Sequence, residues 1–462
     1  MATIVAIDTP TLGDRSYLVH DGRVALVVDP QRDIDRVLAL AGDAAVEIVA
    51  VFETHLHNDY VTGGLALAQA TGAAYHVNAE DDVAFDRIAV RDGDVVEVGP
   101  DMRVQVLATP GHTFTHLSYV LESPGEPAVV FTGGSLLFGS TGRPDLLGPE
   151  HTATLARLQH ESAHRLSDRL AGRTAILPTH GFGSFCSATQ SDVTSSTIEQ
   201  ERRSNPVLTE ERERYVADLI AGLDVWPAYY ARMGPMNAAG PAPADLSPPQ
   251  PADPSEIHRR IDRGEWVVDL RGRVAFAAGH VRGSLNFGID GKMSTYLGWL
   301  IPWGTPLTLL GDTPEQVAEA QRELMRIGID RVDASATGGP QDWTEGRLDT
   351  FARATFTDLT AVRHHRPVVI LDVRRELEWR EAHIDGAVHV PLHELPGGLG
   401  RVPAGEVWVH CASGYRASVA ASFLAAAGRE VIAVDDDFDR AAAAGLGMRP
   451  STVMAAGSPV TG

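Results

Sequence analysis

The stretch Thr54-His55-Leu56-His57-Asn58-Asp59-Tyr60 directly follows the apolar run from Ile48 to Phe52. That run predicts a buried strand, so two imidazoles and one carboxylate lie at alternating positions on the loop at its end. Imidazole and carboxylate side chains grouped on one short loop are typical of a metal site. The motif stops at Asp59, because the next residue is Tyr60 and not a third His.

Three later segments each follow a predicted strand and carry a His or a glycine-rich turn. They are Thr109-Pro110-Gly111-His112-Thr113, Phe131-Thr132-Gly133-Gly134-Ser135 and Leu177-Pro178-Thr179-His180-Gly181. In a layered α/β domain such strand ends can converge on one site. We therefore expect His55, His57 and His112 to bind a metal and leave one coordination position open. Asp59 and His180 are expected to be auxiliary ligands or to orient the ligands. The alternative is a degenerate site whose histidines only support the fold.

Composition limits the class of protein. The chain has 462 residues, which is too long for one compact core and predicts two to four domains. Its formal net charge of −22 argues against a nucleic-acid partner or an anionic membrane surface. Two cysteines form no disulfide framework, so we expect a reducing, cytoplasmic setting. Neither a secretory signal nor an apolar run of about 18 residues is visible.

A proline-rich segment divides the chain. Seven prolines lie from Pro235 to Pro254, both included, and such density predicts a linker over residues 236–253. Residues 1–235 before it alternate short strands and helices, which predicts a layered α/β domain.

The second half contains an internal repeat. Asp269-Leu270-Arg271 and Asp372-Val373-Arg374 each end an apolar run, and a His follows eleven residues after each Asp, at His280 and His383. A duplicated domain explains this, with one copy over 254–352, a second over 353–450, and a tail over 451–462.

Cys411 lies between a predicted strand, Val407 to Val409, and an alanine-rich helix. The loop after Cys411 comprises Ala412, Ser413, Gly414 and Tyr415 and is called the persulfide loop below. Its backbone N–H groups and the helix dipole favour a thiolate or a persulfide at Cys411. We predict Cys411 as a nucleophile, with Arg416 adding fixed positive charge for an anionic sulfur donor. The first copy has Gly311-Asp312 at the equivalent strand end, so it is expected to be a structural or docking domain.

These motifs resemble two known families. The HxHxD loop with its later histidines resembles the metallo-β-lactamase superfamily, whose signature is HxHxDH. The CxxGxR loop at Cys411 resembles rhodanese sulfurtransferases and is one residue shorter than the Cx5R loop of related phosphatases. The resemblance implies an α/β chain: a metallo-β-lactamase αββα sandwich followed by two rhodanese-like α/β domains, the first of them without its Cys.

Two branches of the superfamily are candidates for the first domain. Glyoxalase II-type thioester hydrolases use two metals, whereas persulfide dioxygenases use one iron held by the first His, the later Gly-His and an Asp. The segment Gly142-Arg143-Pro144-Asp145 resembles the GRTD segment of the dioxygenases, and the run from Ser195 to Pro206 resembles another of their motifs. Arg143 is suited to bind the carboxylate of a thiol cofactor. Asp145 is expected to be auxiliary.

The sequence departs from the superfamily pattern at two positions. Tyr60 replaces the His of the second metal, which disfavours a dinuclear centre. Gly134 stands where the family has a metal-ligand Asp, which removes a carboxylate from either kind of site.

The whole arrangement resembles metallo-β-lactamase–rhodanese fusion proteins of sulfide and persulfide metabolism. The resemblance implies a persulfide dioxygenase and thiosulfate sulfurtransferase with one Fe(II) per chain, zinc being the alternative metal. A low-molecular-weight persulfide of the glutathione or coenzyme A type would react with O2 to give sulfite, and Cys411 would exchange sulfane sulfur with sulfite or thiosulfate. Three alternatives stay open: a glyoxalase II-type hydrolase with rhodanese activity, a sulfurtransferase with a silent first domain, and a non-enzymatic persulfide sensor. The thiol carrier and a homo-oligomeric state are left open as well.

Overall fold

The computed structural model describes residues 2–189 and 193–449, and the predicted tail over 451–462 lies outside them. The chain divides into two compact units. The first unit runs to Leu246 and also includes Arg322–Asp330, and the second comprises Ser247–Gln321 and the chain from Arg331 onward. No helix in the described part of the chain is long and apolar enough to cross a membrane.

The strands described in the first unit form two sheets. They are β1 (Thr3–Thr9), β2 (Asp14–His20), β3 (Val24–Val28), β4 (Glu47–Phe52), β5 (Ala74–Asn78), β6 (Ile88–Val90), β7 (Val95–Gly99), β8 (Met102–Ala108), β9 (Leu117–Glu122), β10 (Val129–Gly133), β11 (Ala175–Pro178) and β12 (Ser196–Thr197). One sheet has the order β1-β2-β3-β4-β5-β6 and the other β12-β11-β10-β9-β8-β7.

Helices cover the outer faces of both sheets. They are α1 (Asp35–Asp43), α2 (Gly64–Thr71), α3 (Pro149–Arg169), α4 (Ile198–Ser204), α5 (Pro206–Thr209), α6 (Arg212–Ala221) and α7 (Tyr230–Ala239). Apolar side chains of the two inner faces, such as Phe52, Tyr119 and Phe131, form the core between the sheets. Helices α1 and α2 pack on the first sheet, and α3 packs on the second. The predicted αββα sandwich is therefore confirmed.

The segment predicted to be a linker begins as helix. Helix α7 contains Pro235 and continues to Ala239, four residues into the predicted linker. Proline removes one backbone donor but leaves the remaining hydrogen bonds of a helix possible. Its last residues are held by tertiary contacts, since the side chain of Asn237 is fully buried. Further along, Gln250–Pro251 pairs in parallel with residues 334–335.

The strands described in the second unit form two larger sheets and one small sheet. They are β13 (Gln250–Pro251), β14 (Trp266–Asp269), β15 (Leu285–Asn286), β16 (Leu307–Gly311), β17 (Ala334–Thr337), β18 (Ala352–Ala354), β19 (Val369–Asp372), β20 (His383–Ile384), β21 (Val388–His389), β22 (Val407–His410), β23 (Val431–Val434) and β24 (Met448–Arg449). The larger sheets have the orders β13-β17-β16-β14-β15 and β18-β23-β22-β19-β21, and β20 pairs with β24.

The helices of this half of the chain connect those strands. They are α8 (Pro254–Asp262), α9 (Arg273–Ala278), α10 (Met293–Leu300), α11 (Pro314–Arg326), α12 (Phe356–Arg363), α13 (Glu376–Glu381), α14 (Leu395–Gly398), α15 (Tyr415–Ala426) and α16 (Arg440–Ala443). Two 3₁₀ turns cover Leu392–Glu394 and Leu399–Arg401.

The two parallel sheets repeat the same strand order, and local contacts repeat with them. Arg271 pairs with Asp269 at 2.6 Å and donates to the carbonyl of Gly279. In the second copy, Arg374 pairs with Asp372 at 2.7 Å and donates to the carbonyl eight residues further on. The internal repeat read from the sequence is therefore present in three dimensions.

Candidate functional sites

Three imidazoles meet at the ends of strands in the first unit. His55 follows β4, His112 lies in the turn after β8, and His180 follows β11. All three side chains are buried, and one nitrogen from each lies within 4.8 Å of the others. The Nε2 atoms of His55 and His180 are 3.4 Å apart. The cluster thus collects three nitrogens from segments that are distant in sequence.

Hydrogen bonds fix the tautomer of His112. Its Nδ1 lies 2.8 Å from the carbonyl oxygen of Arg143, which can only accept, so Nδ1 carries the proton. The Nε2 atom therefore presents a lone pair, and it is buried without a hydrogen-bond partner in the described part of the chain. Burial lowers the pKa of His112 to about 3, which keeps the ring neutral. A buried orphan lone pair of this kind fits a metal ligand.

His55 is oriented in the same way by a hydroxyl. Thr54 Oγ1 donates to Asp29 Oδ2 at 2.8 Å and therefore accepts from His55 Nδ1 at 2.9 Å. Burial lowers the pKa of His55 well below its ordinary value, and the neighbouring imidazoles add to this. His55 thus also directs a neutral Nε2 towards the cluster.

Carboxylates hold the third imidazole. His180 Nδ1 donates to Asp14 Oδ1 at 2.9 Å and lies 3.1 Å from Asp59 Oδ2. Burial would lower the pKa of His180, but Asp59 and Asp14 raise it well above its ordinary value. A carboxylate on Nδ1 makes the opposite nitrogen a more basic ligand.

The dimensions of the cluster suit one metal ion. Two nitrogens bound at about 2.1 Å in tetrahedral geometry lie about 3.4 Å apart. That value equals the separation between the Nε2 atoms of His55 and His180. With the orphan Nε2 of His112 as a third donor, the residues present fit a mononuclear metal site.

The third imidazole of this cluster belongs to His180, and the predicted ligand His57 lies beside it. The Nε2 atom of His57 lies 3.3 Å from both Asp29 Oδ1 and Glu53 Oε2, and 3.0 Å from the Tyr60 hydroxyl. Burial would lower the pKa of His57, but these carboxylates raise it to about 9. His57 Nε2 is thus engaged by carboxylates, whereas its Nδ1 is buried without a hydrogen-bond partner in the described part of the chain. His57 also forms possible metal groups with Asp59 and His180 and with Asp29 and Glu53.

The packing around Gly134 leaves no room for a side chain at this position. A Cβ at this position would lie 2.3 Å from His112 Cδ2. The backbone N–H of Gly134 also donates to His116 Nε2 at 3.0 Å, and His116 Nδ1 faces Thr109 Oγ1. The ring of His112 therefore occupies the volume that an Asp at position 134 would need.

Gly134→Ala is expected to displace His112 and lower metal affinity at least about tenfold. The extra methyl overpacks a buried site, which we expect to cost about 1–3 kcal/mol of stability. Metal content after dialysis and thermal unfolding measure the two effects. The matched control is Gly42→Ala in α1, where a Cβ meets no atom within 4 Å. Unchanged metal affinity in Gly134→Ala would contradict the close packing of His112 against Gly134.

Arg143 is fully engaged within the protein. Its guanidinium makes two 2.7 Å hydrogen bonds to Asp145 and also donates to the carbonyl oxygens of Phe185 and Asp224. The residue is 3% exposed. The predicted contact of Arg143 with a substrate carboxylate is not among these hydrogen bonds and stays a prediction. Arg143 and Asp145 join loops beneath the His112 turn.

Asn237 holds the HxHxD loop, a role that the sequence analysis did not predict. Its Nδ2 donates to the carbonyl oxygens of His57 and Tyr60, both at 2.9 Å, and its Oδ1 accepts from the N–H of Thr62. The N–H of Val61 donates to the carbonyl of Arg326, which belongs to the same unit. The only available signal was a polar residue at the end of an apolar helical stretch, inside a proline-rich segment.

Cys411 occupies the predicted loop between β22 and α15. It is 2% exposed, and its Sγ accepts a hydrogen bond from the N–H of Gly414 at 3.2 Å. Gly414 has φ of +96°, a left-handed conformation that glycine adopts at no cost. Ala412 and Ser413 complete the turn, and Tyr415 begins the helix. The loop therefore supplies a backbone donor to the sulfur, as a persulfide cradle requires.

Arg416 is paired rather than open to a substrate anion. Its two terminal nitrogens bind Glu378 at 2.6 and 2.7 Å. Burial would raise the pKa of Glu378, but Arg416 and Arg375 lower it to about 2, so the carboxylate is charged. That Arg416 adds fixed positive charge for the sulfur donor stays a prediction, and Glu378, which the sequence did not indicate, balances part of that charge.

The second cysteine lies in the first unit. Burial raises the pKa of the Cys186 thiol well above its ordinary value, and Asp59 and Asp14 raise it further. The thiol form has little nucleophilicity. A structural role for Cys186 agrees with this environment.

Comparisons with known proteins assign a family to each of two parts of the chain. Residues 12–181 match the metallo-β-lactamase superfamily, and residues 355–444 match the rhodanese-like domain. A crystal structure of a metallo-β-lactamase from Staphylococcus aureus superposes with a TM-score of 0.65 at 24% identity, covering 73% of this chain and 98% of that one. The chain thus contains a metallo-β-lactamase domain at its N-terminal side and a rhodanese-like domain at its C-terminal side.

The curated relatives of this chain include two kinds of enzyme. The mitochondrial persulfide dioxygenase of Homo sapiens is 29% identical over 209 residues, which are 45% of this chain and 74% of that protein. The hydroxyacylglutathione hydrolase of a Polaromonas species is 33% identical over 161 residues, 34% of this chain and 57% of the relative. Sequence similarity therefore connects the domain with both the dioxygenase and the hydrolase branches.

Proposed function

We propose that the chain is a persulfide dioxygenase and sulfurtransferase. Its first domain oxidises a low-molecular-weight thiol persulfide to sulfite, and Cys411 transfers sulfane sulfur to or from sulfite. The observation that carries this proposal is the buried cluster of His55, His112 and His180, which offers three nitrogens to one ion. Similarity to a persulfide dioxygenase and a rhodanese-like domain on the same chain supports it.

The proposed oxidation balances with dioxygen and water alone. The persulfide RSSH, O2 and H2O give the thiol RSH, sulfite and two protons, and the sulfane sulfur loses four electrons to dioxygen. A bound Fe(II) would supply the redox chemistry and an open coordination position. His55, His112 and His180 would hold it, and Thr54, the Arg143 carbonyl and Asp14 would keep their rings in orientation.

The site favours one metal over two. Tyr60, in place of the family's second-metal His, is fully buried and lies against His57. His57 is in turn engaged by Asp29 and Glu53. Because Gly134 also provides no bridging carboxylate, a dinuclear hydrolase is the weaker candidate. A sulfurtransferase with a silent first domain is the second candidate, since Gly134 removes the family's carboxylate ligand.

Metal analysis and oxygen uptake test the proposal together. Protein reconstituted anaerobically with Fe(II) is expected to bind about one iron per chain and to consume O2 with glutathione persulfide. Sulfite and glutathione should appear in equal amounts. Two zinc ions per chain with thioester hydrolysis would support the hydrolase instead. Iron-loaded protein that consumes no O2 with glutathione or coenzyme A persulfide would rule out the dioxygenase.

A further inference from the structure

Two histidines lie one turn apart on helix α3 of the first unit. His160 and His164 are four residues apart, and their ring centroids are separated by 4.4 Å. Side chains at positions i and i+4 of a helix lie on the same face. Both rings line one groove, together with Glu211 and Arg212 at the start of helix α6. The pair is therefore a candidate donor set for an ion outside the buried histidine cluster.

Each of the two rings can present a lone pair. His160 Nε2 lies 3.4 Å from the carbonyl oxygen of Glu210, which can only accept, so Nε2 carries the proton and Nδ1 keeps its lone pair. His164 Nε2 is buried and has no hydrogen-bond partner in the described part of the chain. A buried nitrogen without a partner is unfavourable, and coordination to an ion would satisfy it.

The neighbouring elements hold the pair in place. The Tyr215 ring lies 5.8 Å from the ring of His160, and its hydroxyl is 2.8 Å from Thr141 Oγ1. Between the two histidines, Ser162 donates to the carbonyl of Pro110 at 2.6 Å and ties helix α3 to the loop beneath it. Ligands that packing already orders lose less entropy when they bind a metal.

The charges around the groove do not oppose a cation. Its charged residues are three arginines and three acids, namely Arg165, Arg169, Arg212, Glu161, Asp168 and Glu211. Arg165 makes two hydrogen bonds to Asp92, at 2.8 and 2.7 Å, and Arg212 donates to Glu161 at 3.1 Å. These two guanidinium groups are thus paired with carboxylates, and the formal charge of the lining is zero.

The segment His160-Glu161-Ser162-Ala163-His164 has the spacing of the H-E-x-x-H motif, in which two histidines on a helix bind zinc and the Glu is a general base. Glu161 is not placed for that second role, because its side chain is 55% exposed and is paired with Arg212. No group of three metal-binding side chains in the described part of the chain includes His160 or His164. The pair therefore provides two protein ligands for binding, and water completes the coordination shell.

We propose that His160 and His164 form a second metal site, on the surface of the first domain, which binds one divalent transition-metal ion such as Zn²⁺. Imidazole nitrogen is a preferred ligand of these ions, whereas Mg²⁺ and Ca²⁺ prefer oxygen. Because the ion joins two positions of one helical turn, it binds only the folded helix and stabilises the first domain by mass action. The inference is independent of the proposed function, since neither histidine belongs to the buried cluster.

Equilibrium dialysis of the full chain against fixed concentrations of free Zn²⁺ tests the inference. The wild-type chain is expected to bind about one zinc ion more per chain than His164→Ala, whatever the buried cluster holds, because the cluster is the same in both proteins. His160→Ala and His164→Ala should each weaken this additional binding at least about tenfold, since each removes one of two protein ligands. The melting temperature should rise with Zn²⁺ more in the wild type than in either variant.

The matched control is His151→Asn on the same helix. His151 is 45% exposed and does not line the groove, so this variant should bind as much zinc as the wild type. Thermal unfolding without zinc checks that all variants are folded. A folded His164→Ala protein that binds as much zinc as the wild type at every free concentration would overturn the inference. An equal loss of zinc in His151→Asn would also overturn it, because the ion would then not depend on the pair.

Discussion

His112→Asn is expected to reduce bound metal from about one ion per chain to less than a tenth of that and to abolish oxygen uptake with glutathione persulfide. The reason is that His112 contributes the one nitrogen of the cluster that is buried, deprotonated and without a partner. Asparagine is shorter, and its amide is a weak ligand. With two imidazoles left, the ion loses a third of its protein donors.

The sulfur-transfer activity of the same variant serves as a test of folding. His112 belongs to the first unit and Cys411 to the second, so transfer from thiosulfate should stay within about twofold of wild type. The matched control is His151→Asn on α3, whose side chain is 45% exposed and lies outside the cluster. If His112→Asn kept a full complement of metal, the assignment of this cluster as the metal site would be wrong.

The position of the histidine cluster could be predicted because strand ends follow from hydrophobic patterning. The apolar runs before His55, His112 and His180 correspond to β4, β8 and β11, and these place the loops together at the sheet edges. The choice of His57 as third ligand stays a prediction, because the sequence does not give the direction of a loop side chain. That direction is set by Asp29 and Glu53, whose contacts with His57 exist only in the folded chain.

Two further features depended on tertiary contacts. Asn237 lies in a segment where proline density predicted a linker, yet its amide satisfies three backbone groups of the HxHxD loop and the residues after it. Glu378 precedes Arg416 by 38 residues, and no local pattern pairs them. In contrast, the Cys411 loop was predictable in full, since a strand, a glycine with positive φ and a helix follow one another within the motif.

Cys411→Ser is expected to lower sulfur transfer from thiosulfate to cyanide by roughly a thousandfold or more while leaving oxygen uptake intact. Serine fits the same loop and can still accept from the N–H of Gly414, so the fold should persist. A hydroxyl at neutral pH is a poor nucleophile, and it cannot hold sulfane sulfur as a persulfide. A loss of sulfur transfer in this variant would therefore result from the missing thiol and not from an unfolded loop.

The matched control for this variant is Cys186→Ser. Both cysteines are buried, but Cys186 lies beside Asp59 and Asp14, which keep it as a thiol, whereas Cys411 accepts a backbone hydrogen bond at the start of a helix. Cys186→Ser should therefore retain sulfur transfer within about twofold, since serine can replace the thiol as a donor to a carboxylate. Transfer that survives in Cys411→Ser and disappears in Cys186→Ser would move the nucleophile to the first domain. If transfer instead disappears in Cys411→Ser and survives in Cys186→Ser, the two reactions belong to different domains. Oxidation then depends on His112, and sulfur exchange depends on Cys411.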